Sequence, residues 1–137
     1  MTSSDPPGRS SAPPPEERLH LLVIDDDALV RTSLGHVLGL DHRVTLAPSA
    51  EHALSLFAAG ERFDAVLCDL NMPGMDGVDF YDAAARDAPD QLARTVFLTG
   101  GAFTQRAQEF LQRVSNPTLQ KPFDLLELRR VLRSVAR

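Results

Sequence analysis

The stretch "AVLCDLNMPGMDG", residues 65–77, decides how the chain is read. Ala65, Val66, Leu67 and Cys68 form a short unbroken apolar run, which suits a strand covered on both faces better than one with a wet side. The run, read as a strand over 63–68, stops at the carboxylate of Asp69. Asn71, Pro73, Gly74 and Gly77 then keep the following segment from becoming helical at once. A carboxylate at the end of a buried strand, followed by a turn rich in such residues, needs a chemical reason.

Outward from this stretch, strand-like runs alternate with helical patterns. Upstream lie "LHLLVI" (19–24), a helix over about 28–39 with Val30, Leu34, Val37 and Leu38 on one face, and "HRVTLA" (42–47). Ser49 is placed to cap a second helix whose inward stripe is Ala50, Ala53, Leu54 and Phe57, ended by Gly60. Downstream, a helix over about 77–87 carries Val78, Tyr81 and Ala85 on one side, with Asp76 as its N-cap. "RTVFL" (94–98) is the fourth strand, and "TQRAQEFLQRV" (104–114) a helix with Ala107, Phe110, Leu111 and Val114 inward. "TLQ" (118–120) is a short fifth strand. Asp124 caps a last helix with the stripe Leu125, Leu128, Leu132 and Val135. Five strands alternating with five helices predict an α/β fold around a parallel sheet.

In such sheets ligands bind beyond the carboxyl ends of the strands. Asp25 and Asp26 end the first strand, Asp69 the third, Thr99 the fourth and Lys121 the fifth, so four strand ends converge on one rim. Clustered carboxylates raise one another's pKa unless a cation intervenes. A hard divalent cation, magnesium foremost, relieves that repulsion and leaves positions open to a phosphoryl oxygen. Lysine offers a point charge and threonine a hydroxyl to the other side of such a group. An aspartate is also competent as a nucleophile that forms an acyl phosphate. Taken singly, these residues have plainer explanations: a solvated acidic turn, a strand terminator, a surface Lys-Pro turn. Asp27 is expected to cap the first helix rather than join the acidic pair.

The motifs "VIDDD", "CDLNMPGMDG", "LTG" and "QKPF" resemble the receiver domains of bacterial two-component response regulators, in particular single-domain, chemotaxis-regulator-like receivers and those of hybrid histidine kinases. The resemblance covers about residues 19–136, with 43 residues from Asp26 to Asp69, 30 to Thr99 and 22 to Lys121. It implies a flavodoxin-like (βα)5 three-layer sandwich with strand order 2-1-3-4-5. By the same resemblance Asp69 is the phosphoacceptor, taking its phosphoryl group from a sensor histidine kinase or phosphotransfer protein. Asp25, Asp26, Asp69 and the backbone carbonyl of Asn71 are magnesium ligands, Thr99 and Lys121 contact the phosphoryl group, and the peptide before Pro122 is cis. The domain assists its own phosphorylation and dephosphorylation without being a turnover enzyme. A downstream protein is expected on the face of the fourth helix, fifth strand and fifth helix.

Two alternatives compete with this: a receiver-like binding module that acts without phosphorylation, and an aspartyl-phosphate hydrolase. The hydrolase signature has an aspartate two residues after its nucleophile, where Asn71 stands and cannot do proton chemistry. One departure from the family concerns signalling. Thr118 occupies the position three before the motif lysine where an aromatic ring is usual, and Gly100 and Gly101 leave the loop after Thr99 small.

The 137 residues suit one domain, assigned to 18–137, with 43% hydrophobic and 24% charged residues. Residues 1–17, rich in Pro and Ser, are expected to form a disordered tail or linker. A net charge of −5 disfavours direct nucleic-acid binding. No run approaches the ~20 apolar residues of a membrane span. One cysteine permits no internal disulfide, which fits a cytoplasmic location. Cys68 is expected to be a buried strand residue, and His20, His36, His42 and His52 lack metal spacing. The chain ends with its last helix pattern, so it is expected to act through another molecule or to pass its phosphoryl group on. Arg129, Arg130, Arg133 and Arg137 are expected to complement the negative end of that helix.

Overall fold

The structure, a computed structural model, describes residues 18–100 and 104–136. In chain order the elements are β1 (His20–Ile24), α1 (Ala28–Leu38), β2 (Arg43–Ala47), α2 (Ala50–Ala58), β3 (Ala65–Asp69), α3 (Gly77–Asp87), α4 (Pro89–Leu92), β4 (Thr95–Thr99), α5 (Gln105–Arg113), β5 (Thr118–Gln120) and α6 (Leu125–Val135). The strands form one parallel sheet in the order β2-β1-β3-β4-β5. The chain runs outward from β1 to β2 and then crosses back to β3, so the topological switch falls between β1 and β3. The segments 1–17 and 101–103 and Arg137 lie outside the described residues, and with them the expected tail and Gly101.

Strand side chains alternate between two cores, one on each face of the sheet. Leu22, Ile24, Val66, Cys68 and Phe97 pack against Ala53 and Phe57 of α2, Phe80 and Ala84 of α3, Leu92 of α4 and Phe110 of α5. Leu21, Val23, Leu67, Leu98 and Leu119 pack against Leu38 of α1 and Leu128 and Leu132 of α6. This is the expected three-layer sandwich, and its continuous apolar strands are explained by cover on both faces. The four expected acidic or hydroxyl caps are present, and Thr104 caps α5 in the same way. The side chains of Asp27, Ser49, Asp76 and Asp124 each accept a backbone N–H from the first turn of α1, α2, α3 and α6. No helix among the described residues is long and apolar enough to cross a membrane.

Two details differ from expectation. A sixth, one-turn helix, α4, follows α3. Pro89 starts it, and the fully buried Gln91 anchors it by accepting from the Phe63 N–H at 2.9 Å and donating to the Phe63 carbonyl at 3.1 Å. The inward face of α3 is also rotated. Val78, Phe80, Ala83 and Ala84 are buried, Tyr81 lies at the margin, and Ala85 is exposed. Phe80 sets that direction by packing on Phe57. At 3.6 residues per turn, Ala85 lies roughly 140° away from it.

The glycines of the opening stretch have separate jobs. Gly74 turns with φ +72°, a conformation side chains rarely adopt. Gly77 allows close approach: a Cβ there would lie 2.8 Å from the Leu70 Cα and 3.1 Å from the Asp69 carbonyl oxygen. Backbone cannot rotate out of the way, so Gly77→Ala is expected to lower stability by about 1–3 kcal/mol. A urea unfolding curve with a reduced midpoint and an unchanged slope would register this.

Candidate functional site

The site grows from the ends of the strands that flank the switch. Asp25 follows the last residue of β1, and Asp69 is the last residue of β3. Their carboxylates and that of Asp26 offer oxygens that all lie within 4.8 Å of one another. Asp25 and Asp69 are only 1% and 4% exposed, whereas Asp26 faces solvent. Lys121, which follows β5, reaches over the sheet end, its Nζ 3.3 Å from Asp69 Oδ2 and 3.9 Å from Asp25 Oδ2. The Lys121–Pro122 peptide is cis. Thr99, at the end of β4, is buried, and its hydroxyl faces the Leu119 carbonyl at 3.5 Å, the outer limit of a hydrogen bond.

Backbone amides orient the buried carboxylates. Asp27 N–H donates to Asp25 Oδ1 at 2.9 Å, and Asn71 N–H to Asp69 Oδ1 at 3.0 Å. The Asn71 side chain is exposed and faces Gly100. Asp25 Oδ2, fully buried, has no hydrogen-bond donor. Burial, and secondarily the charges of Asp69 and Asp26, push the Asp25 carboxyl above its ordinary pKa against the opposing pull of the Asp27 amide and Lys121. Three carboxylates with one lysine, and one buried oxygen without a hydrogen-bond donor, form a set of hard donors short of positive charge, which fits a small divalent cation.

The structure therefore brings Asp25, Asp26, Asp69 and Lys121 together, with Asn71 and Thr99 on the same rim. Cys68 is buried, and burial, followed by the charges of Asp69, Asp25 and Asp76, pushes its thiol well up, away from reactivity. His20 and His42 are half-buried and bonded to Thr45 and to the Leu19 amide, while His36 and His52 are exposed. Arg129 pairs with Asp41 at 2.9 Å.

Two arginines beside the site carry no motif. Arg31 of α1 donates to the Asp25 carbonyl at 2.8 Å. Arg106 of α5 grips Asp76 at 3.0 Å and Asp79 at 2.7 Å, the two residues of the α3 capping box. Asp27, four residues before Arg31, and the Asp76–Asp79 spacing mark helix starts in the sequence. Neither tells where a long side chain from a helix reaches.

Known proteins share the sequence pattern and the fold. Residues 21–133 match the response regulator receiver domain, and the chain belongs to that family. Among curated relatives, the response regulator MprA of Mycolicibacterium vanbaalenii is 34% identical over 120 residues, covering 87% of this chain and 51% of the relative. The transcriptional regulatory protein FixJ of Bradyrhizobium diazoefficiens is 32% identical over 120 residues, 86% of this chain and 57% of its own length. The chain thus spans a little over half of each. Among solved structures, a receiver domain protein from Clostridium thermocellum shares the fold with a TM-score of 0.74 at 24% identity, over 85% of this chain and 92% of that one. Chemotaxis protein CheY4 of Vibrio cholerae gives 0.69 at 25% identity, over 86% and 98%.

The raised pKa of Asp25 has a definite sign. A carboxyl whose folded pKa exceeds its unfolded value leaves stability intact below about pH 4 and costs stability as pH rises through the folded value. In metal-free protein at pH 7, Asp25→Asn is therefore expected to raise the urea midpoint, with the difference shrinking as pH falls toward 4. Magnesium at about a hundred times its Kd is expected to add about 2.7 kcal/mol to the wild type and nothing to the variant.

Proposed function

We propose that this receiver domain accepts a phosphoryl group on Asp69 from the phosphohistidine of a sensor histidine kinase or phosphotransfer protein in the cytoplasm, and signals through protein contacts or by passing the group on. The observation that carries this assignment is the buried Asp25 Oδ2, which has no hydrogen-bond donor, with Lys121 spanning the Asp25 and Asp69 carboxylates. Asp25, Asp26, Asp69 and the backbone carbonyl of Asn71 are the residues assigned to hold magnesium. Bound there, the ion supplies positive charge that offsets the carboxylates and the phosphoryl oxygens.

The protein's own part is positioning and charge, as in other phosphoryl transfers. The Asn71 amide and the Lys121 ammonium fix the Asp69 carboxylate at a rigid strand end. One of its oxygens attacks phosphorus in line. The bond from phosphorus to the donor imidazole breaks, its electron pair stays on nitrogen, and the imidazole takes up a proton. Lys121 then pairs with the transferred group, and Thr99 turns its weakly engaged hydroxyl from Leu119 toward it.

The product carries roughly two added negative charges. They bias an existing equilibrium of the loops rather than create a new conformation. Thr118, exposed on β5, has no ring to bury, so the usual aromatic relay is absent. Arg106 of α5, paired with Asp76 and Asp79, ties that helix to the start of α3 beside the site. The face of α5, β5 and α6 is the assigned output surface.

The donor side is different. An apolar groove lined by Leu29, Val30, Leu34, Pro122 and Phe123 runs beside Lys121, and Leu29 is 77% exposed. Lying beside Lys121, it is the surface we assign to the helix that carries the phosphohistidine.

Intact mass after incubation with magnesium and a small-molecule phosphodonor tests the chemistry. The wild type is expected to gain one alkali-labile phosphate and Asp69→Asn none. Magnesium binding without any adduct would leave only a receiver that requires its specific kinase, or one that binds without phosphorylation. Leu29→Asp separates docking from chemistry. It is expected to leave the rate with the small donor unchanged and to slow transfer from a histidine kinase on the order of tenfold, the effect of losing a buried apolar contact.

A further inference from the structure

Asp25 has four polar atoms, and three of them are held. Its N–H donates to the Ala47 carbonyl at 3.2 Å, its Oδ1 accepts from the Asp27 N–H, and its carbonyl oxygen accepts from Arg31 Nη1 at 2.8 Å. The fourth, Oδ2, has no hydrogen-bond donor and lies 3.9 Å from Lys121 Nζ. The Arg31 contact is the only one of the three made by a side chain.

That carbonyl belongs to the peptide joining Asp25 to Asp26. A peptide unit is planar, so a bond to its oxygen orients the whole plane and with it the direction in which Asp26 leaves. The sheet does not provide this, because β1 ends at Ile24 and its pairing with β3 ends at Ile24 and Cys68. Arg31 is itself anchored at the start of α1, where its N–H donates to the Asp27 carbonyl at 2.9 Å. The segment from Asp25 to Arg31 is thereby closed into a loop, with the acidic pair at one end and the guanidinium bridging back.

We infer that Arg31 is a positioning residue for the magnesium site: it sets the Asp25–Asp26 peptide so that both carboxylates converge with that of Asp69. The inference rests on the metal assignment made under Proposed function. Two physical effects of Arg31 oppose each other. As a cation close to a cation site, it repels the ion. As the anchor of the ligand peptide, it removes the cost of ordering that peptide when the ion binds. Outer contacts that orient metal ligands are commonly worth ten- to a hundredfold in affinity. The positioning effect therefore prevails, and loss of Arg31 weakens binding although it removes a repelling charge.

Calorimetric titration of magnesium chloride at constant ionic strength into the full chain decides the matter. The proteins compared are the wild type, R31M, R31K and D25N, each with its melting temperature. R31M is expected to bind magnesium on the order of tenfold more weakly, and R31K, which keeps a donor within reach of the carbonyl, to regain most of the loss. Equal or tighter binding by R31M would overturn the inference by showing that charge repulsion governs. So would equal losses in R31M and R31K accompanied by a fall in both melting temperatures, since that pattern belongs to a loosened α1. If the wild type takes up no magnesium, or D25N binds as well as it does, the metal assignment itself fails.

Discussion

Three carboxylates crowded at the switch point of a parallel sheet are the constraint around which this domain is organised. Asp25 and Asp69 are buried, their oxygens and those of Asp26 lie within 4.8 Å, and one oxygen lacks any donor. Left alone, such a cluster would take up protons or splay apart. Splaying is resisted by two strands paired up to the residue before each buried aspartate, by amides two residues beyond each of them, and by Lys121 reaching over from the edge strand. The fold thus holds a deficit of positive charge at a rigid place, which the proposed phosphoryl acceptance requires.

The elements around the cluster serve that rigidity unevenly. On the β3 side, close packing of Gly77 on Leu70 and the reciprocal capping of Asp76 and Asp79 set where α3 begins. Arg106 then links that helix start to the first turn of α5, and Arg113 lies over the rings of Tyr81 and Phe110 farther along. α3 and α5 are therefore coupled by charge at one end and by aromatic contact at the other.

Much of this was legible in the sequence because the signals are local. Asp27, Ser49, Asp76 and Asp124 announce helix starts by chemistry confined to a single turn. The strands were legible because a short run that is apolar on both faces has few other uses. The inward face of α3 was not, since Ala85 and Ala84 look alike until Phe80 is seen to pack on Phe57. Nor was α4, whose single turn depends on a buried glutamine bonded to Phe63, 28 residues away.

The sequence by itself determined the sheet, the order of its acidic, hydroxyl and lysine strand ends, and membership of the receiver family, because these depend on residue type and spacing. Only the tertiary structure decided that Asp25 Oδ2 is left without a hydrogen-bond donor, that Lys121 lies closer to Asp69 than to Asp25, and that Arg31 and Arg106 reach into the framework of the site. Each of these depends on the path of a side chain between elements, and on which atoms burial cuts off from water. Spacing along the chain carries no record of either.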